Sequence, residues 1–445
     1  MSCTLRWIRL TPLAGALAVA LTGSCARGTA VDISWGEATQ LSPGAAVVFA
    51  TAPKTNALTI AWVSAPGGGN DGRLYVRSEI GTGATVELLD SLGRLTIYGE
   101  VPPKIAYAPD GTLYAAYLVT KSVPGHKWPV NTLRFASSPD GGAHWTGPRT
   151  VSSDTPFGGS TDDHALLAGA DGTLYLTWLA ATGPESHTWL SRSEDKGLTW
   201  SAPLRIDQGA SCPCCRTALT TGPDGTLYVA WRKIYRDTPG ETEARDIAVA
   251  RSTDHGRGWS EPVRVHADEW RVTYCPDAGP SIKVGGDGTV HIAWWTGKAG
   301  AAGVYYAGST DGARVFGAPV PLGVAAASRA AHVQLALGSP NTVVAAWDDG
   351  TRQSPRIVVR TSRDGGRSFG ETQALSLADR TVGYPVVALR ADTVTVAWQE
   401  RTLEEAGADS AHQSHGAIND TVSSARHIKP VASWRIVART GNLSR

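Results

Sequence analysis

From Val47 onward the hydrophobic pattern of the chain repeats seven times: a short apolar segment, a tight polar turn, and a second apolar segment that ends in Ala-Trp or a close variant. The closing aromatic falls at Trp62, Tyr117, Trp178, Trp231, Trp294, Trp347 and Trp398, at intervals of 51 to 63 residues. Apolar runs this short, bounded by turn residues, predict strands rather than helices. Four of the turns are Asp-Gly, at Asp110-Gly111, Asp171-Gly172, Asp224-Gly225 and Asp287-Gly288. Glycine there supplies the positive φ that a tight hairpin turn needs. Seven such hairpins imply seven units.

A second phrase follows the middle hairpins. Ser138 to Trp145, Ser193 to Trp200, Ser252 to Trp259 and Ser362 to Phe369 have the form Ser-x-Asp-x-Gly-x-x-aromatic, and Ser309 to Phe316 departs only by Ala313 in place of Gly. A carboxylate that accepts turn amides, a glycine that tolerates positive φ and an aromatic under the turn make a folding device. The phrase resembles the Asp box of the sialidase superfamily. That resemblance covers nearly the whole mature chain and implies an all-β fold, a sialidase-like β-propeller of four-stranded blades. The repeat count predicts seven blades, or six if the first or last hairpin stands outside the ring. A degenerate box around Ser78 belongs to the first unit. The seventh unit lacks an outer strand, and residues 35–42, which read like the end of an Asp-box unit such as Phe369 to Ser376, are expected to supply it and close the ring.

Composition agrees with turns and strands: 50 Gly and 16 Trp against 1 Met and 5 Phe. With 41 Lys+Arg against 40 Asp+Glu and no long basic run, the electrostatic footprint of a nucleic-acid binder is missing. A small molecule, a glycan or a metal ion is the expected partner, and a monomer the expected state. The N-terminus has Arg6 and Arg9, an apolar run from Leu10 to Leu21, then small residues and Cys25. This is a secretory layout, too short for an ordinary membrane span. Residues 1–30 are expected to direct export, either as a leader cleaved after Ala30 or as a bacterial lipoprotein anchor acylated at Cys25. Residues 31–445 then form one domain, periplasmic or tethered to a membrane only by lipid.

In such a blade the Asp-Gly turns and Asp boxes emerge at one end, and the long, varied loops 118–131, 151–163, 207–216, 232–246, 264–279 and 399–431 at the other. Loops presented by a rigid scaffold at the mouth of a central channel are where function is expected. Every cysteine of the folded part lies there: Cys212, Cys214 and Cys215 before the inner strand of the fourth unit and Cys275 before that of the fifth. His164, His332, Lys104 and Tyr384 hold similar places in four other units, so sulfur and imidazole are expected to converge. Three readings stay open. The cysteines are two structural disulfides pinning adjacent loops, a soft-metal site holding Cu(I) or Zn(II) with His164 and His332 as auxiliaries, or a redox-active dithiol. Of the remaining histidines, His412 and His415 sit in the long 399–431 loop and His144 and His255 inside Asp boxes.

The sialidase resemblance also implies an enzyme: three arginines for the substrate carboxylate, a Tyr nucleophile activated by Glu, and an Asp acid/base. No Arg-Ile-Pro motif is present, and Pro102-Pro103-Lys104-Ile105 is its nearest analogue. Lysine there lacks the planar, two-pronged donor of arginine. The mouth nevertheless offers Arg216, Arg271 and Arg329 as anchors, Tyr384 with Glu400 as the nucleophile pair, and Asp163 or Asp277 as acid. The chain as a whole resembles exported bacterial sialidase-like proteins with a C-x-C-C cluster and a Cys-Pro-x-x-Gly-Pro segment, here Cys275 to Pro280. That likeness points to the cysteines as the functional signature. Three functions follow: soft-metal, chiefly copper, binding or redox chemistry; glycoside hydrolysis of sialic or other acidic sugars; or glycan or protein binding without catalysis.

Overall fold

The computed structural model describes residues 33–444 except 65–71, 79–82, 89, 91–93, 96–98, 100, 122–123, 125–129, 152–160, 237–241, 275, 325–329, 339–340, 351–354 and 404–433. Thirty strands form seven antiparallel sheets. Blade 1 runs from Val47 to Leu88, blade 2 from Arg94 to Thr150, blade 3 from Thr161 to Arg205 and blade 4 from Ala218 to Arg264. Blade 5 runs from Ser281 to Val324, blade 6 from Gln334 to Ala374 and blade 7 from Arg380 to Leu443. Each inner strand touches the inner strand of the next blade, and that of blade 7 touches that of blade 1, so the seven stand in a closed ring. The fold is the all-β, seven-bladed propeller expected from the repeat.

The repeat aromatics explain why the blades pack. Each sits on the second strand of its blade, and all seven rings are buried between neighbouring sheets. The turn chemistry follows the sequence. In the Asp-Gly hairpins the glycines adopt φ between +81° and +96°. In the box of blade 3, Ser193 Oγ accepts the Gly197 amide at 2.8 Å and donates to Asp195 at 2.7 Å, while Asp195 accepts the Thr199 amide at 2.9 Å. The near-copy box keeps this arrangement because Ala313 itself takes φ +60° and donates its amide to Ser309 Oγ. The box carboxylates are thus committed to turns, at the end of the propeller opposite the long loops.

Closure works as the sequence suggests. Strands Ile33–Trp35 and Thr39–Pro43 both pair antiparallel with Arg435–Leu443, the outer strand of the hairpin in blade 7. A sheet edge that would otherwise offer unpaired amides to another chain is covered by the other end of the same chain. Residues 1–30 with Cys25, and the segment with His412 and His415, lie outside the described residues. No described helix is long and apolar enough to cross a membrane.

Closure depends on a close approach at Gly441, where a Cβ would lie 2.5 Å from Ile33 Cγ2 and 2.8 Å from the Trp35 ring. Gly441→Val should therefore lower the thermal midpoint by several degrees, whereas Gly147→Val, which meets nothing within 4 Å, should leave it unchanged. Parallel calorimetric scans of the two variants check this.

Candidate functional site

Register defines the mouth. On each inner strand one residue pairs with the residue just before the repeat aromatic: Val48, Lys104, Ala165, Ala218, Ser281, Gln334 and Val386. Two residues upstream stand Ala46, Pro102, Asp163, Arg216, Gly279, His332 and Tyr384. Contacts link them around the opening. The Thr217 amide donates to Asp163 O at 3.1 Å, and a Cβ on Gly279 would lie 2.2 Å from Arg216 O. His332 Nε2 bonds Asp277 O at 3.0 Å, the Tyr384 ring lies 4.0 Å from that of His332, and Gly99 abuts the far side of Tyr384. Ala46, Asp163 and Tyr384 have φ of +57°, +54° and +53°, with register shifts at Asp162/Ala165 and Gly383/Val386. Strained backbone of this kind, about 1–3 kcal/mol per residue, persists only where the surroundings over-determine it, and it concentrates at functional sites.

The cysteine turn adjoins this ring, one residue before Arg216. Its backbone is anchored where blades 3 and 4 end: the Ser211 amide donates to Ser186 O at 2.7 Å and the Cys212 amide to Arg232 O at 2.8 Å. The sulfurs of Cys212, Cys214 and Cys215 all lie within 4.8 Å of one another, and the residues are 1 %, 4 % and 1 % exposed. Cys212 Sγ is 3.5 Å from that of Cys215 and 3.7 Å from that of Cys214. Cys275 lies outside the described residues.

Two arginines face this sulfur. Arg245 Nη1 donates to Cys212 Sγ at 3.6 Å and to Tyr274 O at 3.0 Å. Arg232 is buried with every nitrogen bonded, to Ala278 O, Trp295 O and Arg245 O, and stacks over Trp270 at 5.0 Å. The hydrogen bond from Cys215, then the charges of Arg245 and Arg232, hold Cys212 down at about 6 against the upward push of burial.

The histidines do not join the sulfurs. Among the described residues the three cysteines are the one group of three or more Cys, His, Asp or Glu ligand atoms close enough to share an ion. His164 is fully buried, with Nε2 on Ala116 O at 3.0 Å and Nδ1 without a hydrogen-bond partner among the described residues. Burial, reinforced by Lys104, holds it down to about 3, so it is neutral. His332 has both ring nitrogens engaged, Nδ1 with Asp348 Oδ2 at 2.8 Å and Nε2 with Asp277 O. A carbonyl only accepts, so Nε2 donates there, and neither nitrogen is open to a metal.

Of the glycosidase candidates, Asp163, Arg216 and Tyr384 stand at the mouth positions, and Asp277 bonds His332 through its carbonyl. Glu400 accepts from Trp398 Nε1 at 2.9 Å and pairs with Arg435 at 3.4 Å and Arg380 at 3.5 Å. It thereby braces blade 7. Arg271 Nη1 donates to Thr242 O at 2.7 Å, and Arg329 lies outside the described residues. Arg216 is different: it is only 5 % exposed, yet Nε and Nη2 have no hydrogen-bond partner among the described residues.

Arg232, Arg245 and Asp348 were not anticipated. A signal existed for two of them. The position after the repeat aromatic reads Val63, Leu118, Leu179, Arg232, Trp295, Asp348 and Gln399. Buried polar residues at this register distinguish blades 4, 6 and 7 from the others.

Residues 94–396 match the model of the BNR repeat-like domain. The chain belongs to that family. The resemblance to sialidase-like Asp-box propellers is thereby shown, and no curated protein matches. Among solved structures, a PL25 ulvan lyase is 14% identical, with 83% of this chain and 93% of that chain covered at a TM-score of 0.54. The polysaccharide lyase Uly1 is 13% identical over 95% and 94% at 0.52. A protein of unknown function from Dyadobacter fermentans DSM 18053 is 18% identical over 77% and 94% at 0.50. At these identities the likeness concerns the fold of the BNR propeller alone.

The electrostatics of the cysteine turn are directly measurable. Thiolate absorbance of the BNR propeller should rise with a midpoint near pH 6, well below the ordinary thiol value of about 8.5. Arg245→Gln should move that midpoint upward, because one of the charges favouring the thiolate is removed.

Proposed function

We propose that the propeller is a thiol-centred protein whose cysteine turn holds a soft metal ion, copper(I) in the first place. The observation that carries this reading is the buried, sulfur-only donor set of Cys212, Cys214 and Cys215. Soft thiolates select Cu(I), while structural zinc asks for four ligands, usually with imidazole or a fourth sulfur. The engaged nitrogens of His332 and the separate placement of His164 argue against zinc. Arg245 and Arg232 offset the negative charge of a metal bis-thiolate. Cys212, Cys214 and Cys215 are the principal ligands, with Cys275 as the fourth candidate by sequence. On an exported chain, as the leader implies, such a site would serve metal handling outside the cytoplasm.

A second reading rests on Arg216. A buried guanidinium whose Nε and Nη2 edge has no partner among the described residues leaves donors whose desolvation costs about 1–3 kcal/mol each. That edge suits a carboxylate held by two parallel hydrogen bonds. An acidic saccharide at the mouth would satisfy it, as binding without sialidase-type hydrolysis, since Glu400 is committed to Trp398 and the arginines of blade 7.

Anaerobic titration of the reduced full chain with Cu(I), against a chromophoric Cu(I) chelator, should show one ion retained per chain. Zn(II) should be held more weakly, and Cys212→Ser should lose at least tenfold in Cu(I) affinity. If the chelator strips copper from the unmutated chain as readily as from that variant, the metal reading is wrong. For the mouth, a panel of sialylated and uronic-acid oligosaccharides should include a binder whose affinity falls at least tenfold in Arg216→Gln. A panel without any binder would dismiss the saccharide.

A further inference from the structure

Lys283 is the exposed residue of Ser281–Val284, the inner strand of blade 5. That strand is backed by its own blade and flanked by the inner strands of blades 4 and 6, so the side left open is the central channel. Ser281, on the same face and one level nearer the mouth, accepts the Leu335 amide at 3.0 Å through Oγ, which holds neighbouring inner strands at one height. At the level of Lys283, register places alanines on four blades, Ala50, Ala106, Ala336 and Ala388, with Leu167 on blade 3 and Thr220 on blade 4. The small side chains leave room in the channel beside the lysine.

We propose that the central channel binds a small oxyanion, held by the Lys283 ammonium with the Thr220 hydroxyl and the Gln334 amide as further donors. Thr220 and Gln334 stand on the two flanking inner strands, on the equivalent face and half-buried, and neither side chain has a hydrogen-bond partner among the described residues. Lys283 likewise has no hydrogen bond or ion pair there. The inner strands of all seven blades are described in full, and their carboxylates, Asp162 and Asp163, are at the mouth end. Lys104, on blade 2, adds a second cation one level nearer the mouth than Lys283. This site is separate from the cysteine turn and from Arg216, and it does not rest on either reading of them.

An ammonium enclosed by protein is costly unless a counter-charge accompanies it. Burial alone acts on the Lys283 amine, and it lowers the pKa. Its cross-strand partner His291 offers no counter-charge: Nδ1 lies 2.7 Å from Tyr306 Oη, and burial lowers that pKa too, so the ring is neutral at pH 7. An oxyanion supplies the missing charge and returns the amine to its protonated form. Phosphate fits better than a carboxylate, because lysine presents a point charge while paired carboxylate oxygens favour the planar fork of arginine. Binding tightens as pH falls through the amine's pKa, since the cationic form is the one that binds.

Short pulses of an amine-acetylating reagent on the full-length chain, followed by digestion and peptide mass spectrometry, report each lysine separately, because only the neutral amine reacts. Lys283 should acquire label with a midpoint at lower pH than the exposed Lys54. Millimolar inorganic phosphate should slow labelling of Lys283 at least fivefold and leave Lys54 unchanged. Sulfate, which does not titrate near neutrality, should protect more strongly as the pH is lowered. Thr220→Val and Gln334→Leu should each weaken the protection at least threefold. Labelling of Lys283 that is indifferent to phosphate, sulfate and acetate, or that falls equally at Lys54, would overturn the proposal, and protection by acetate alone would overturn the preference for phosphate. The unmutated chain reports first, so a variant that fails to fold does not obscure the answer. No copper or saccharide is present in this measurement, which keeps its outcome distinct from those of the copper titration and the oligosaccharide panel.

Discussion

The antiparallel pairing of seven inner strands around one axis is the constraint on which everything else rests. Once each inner strand is in register with its Ala-Trp partner, the residue two places upstream has nowhere to go but the mouth. Residues from Ala46 to Tyr384 in sequence therefore meet around one opening, although the strands that carry them never pair with one another. The ring stays shut because the first described strands pair with the last. Its stability is thus a property of both ends of the chain at once.

Division of labour between the two ends of the propeller follows from this geometry. At one end Asp-Gly turns and Asp boxes spend their carboxylates on local amides, so their charge is not available for chemistry. At the other end the polar groups are buried and committed over long range: Arg232 to carbonyls of blade 5 and its approach, and Asp348 to His332. Buried charge without partners is costly, and these residues are well satisfied. Arg216 Nε and Nη2 have no hydrogen-bond partner among the described residues, and Cys212 has a cation held against its sulfur. Both are on the same loop.

The sulfur cluster combines what first reads as alternatives. A disulfide and a metal site both need sulfurs this close, and those of Cys212 and Cys215 stand 3.5 Å apart. Three cysteines in four positions allow both because a tight turn brings all the sulfurs within reach and only some combinations can bond without strain.

The seven-blade count, the Asp boxes, the closing strand and the presence of the cysteines at the loop-rich end were all legible in the sequence, since each depends on local turn chemistry or on a period that repeats along the chain. The polar residues after the aromatics of blades 4, 6 and 7 were legible too, had the repeats been compared position by position. Which imidazole nitrogens are engaged, that Glu400 pairs with Arg380 and Arg435, and that Arg245 reaches Cys212 were decided only by the tertiary structure. Those facts depend on where side chains from different blades point once the ring has closed, and a one-dimensional pattern carries no record of that direction.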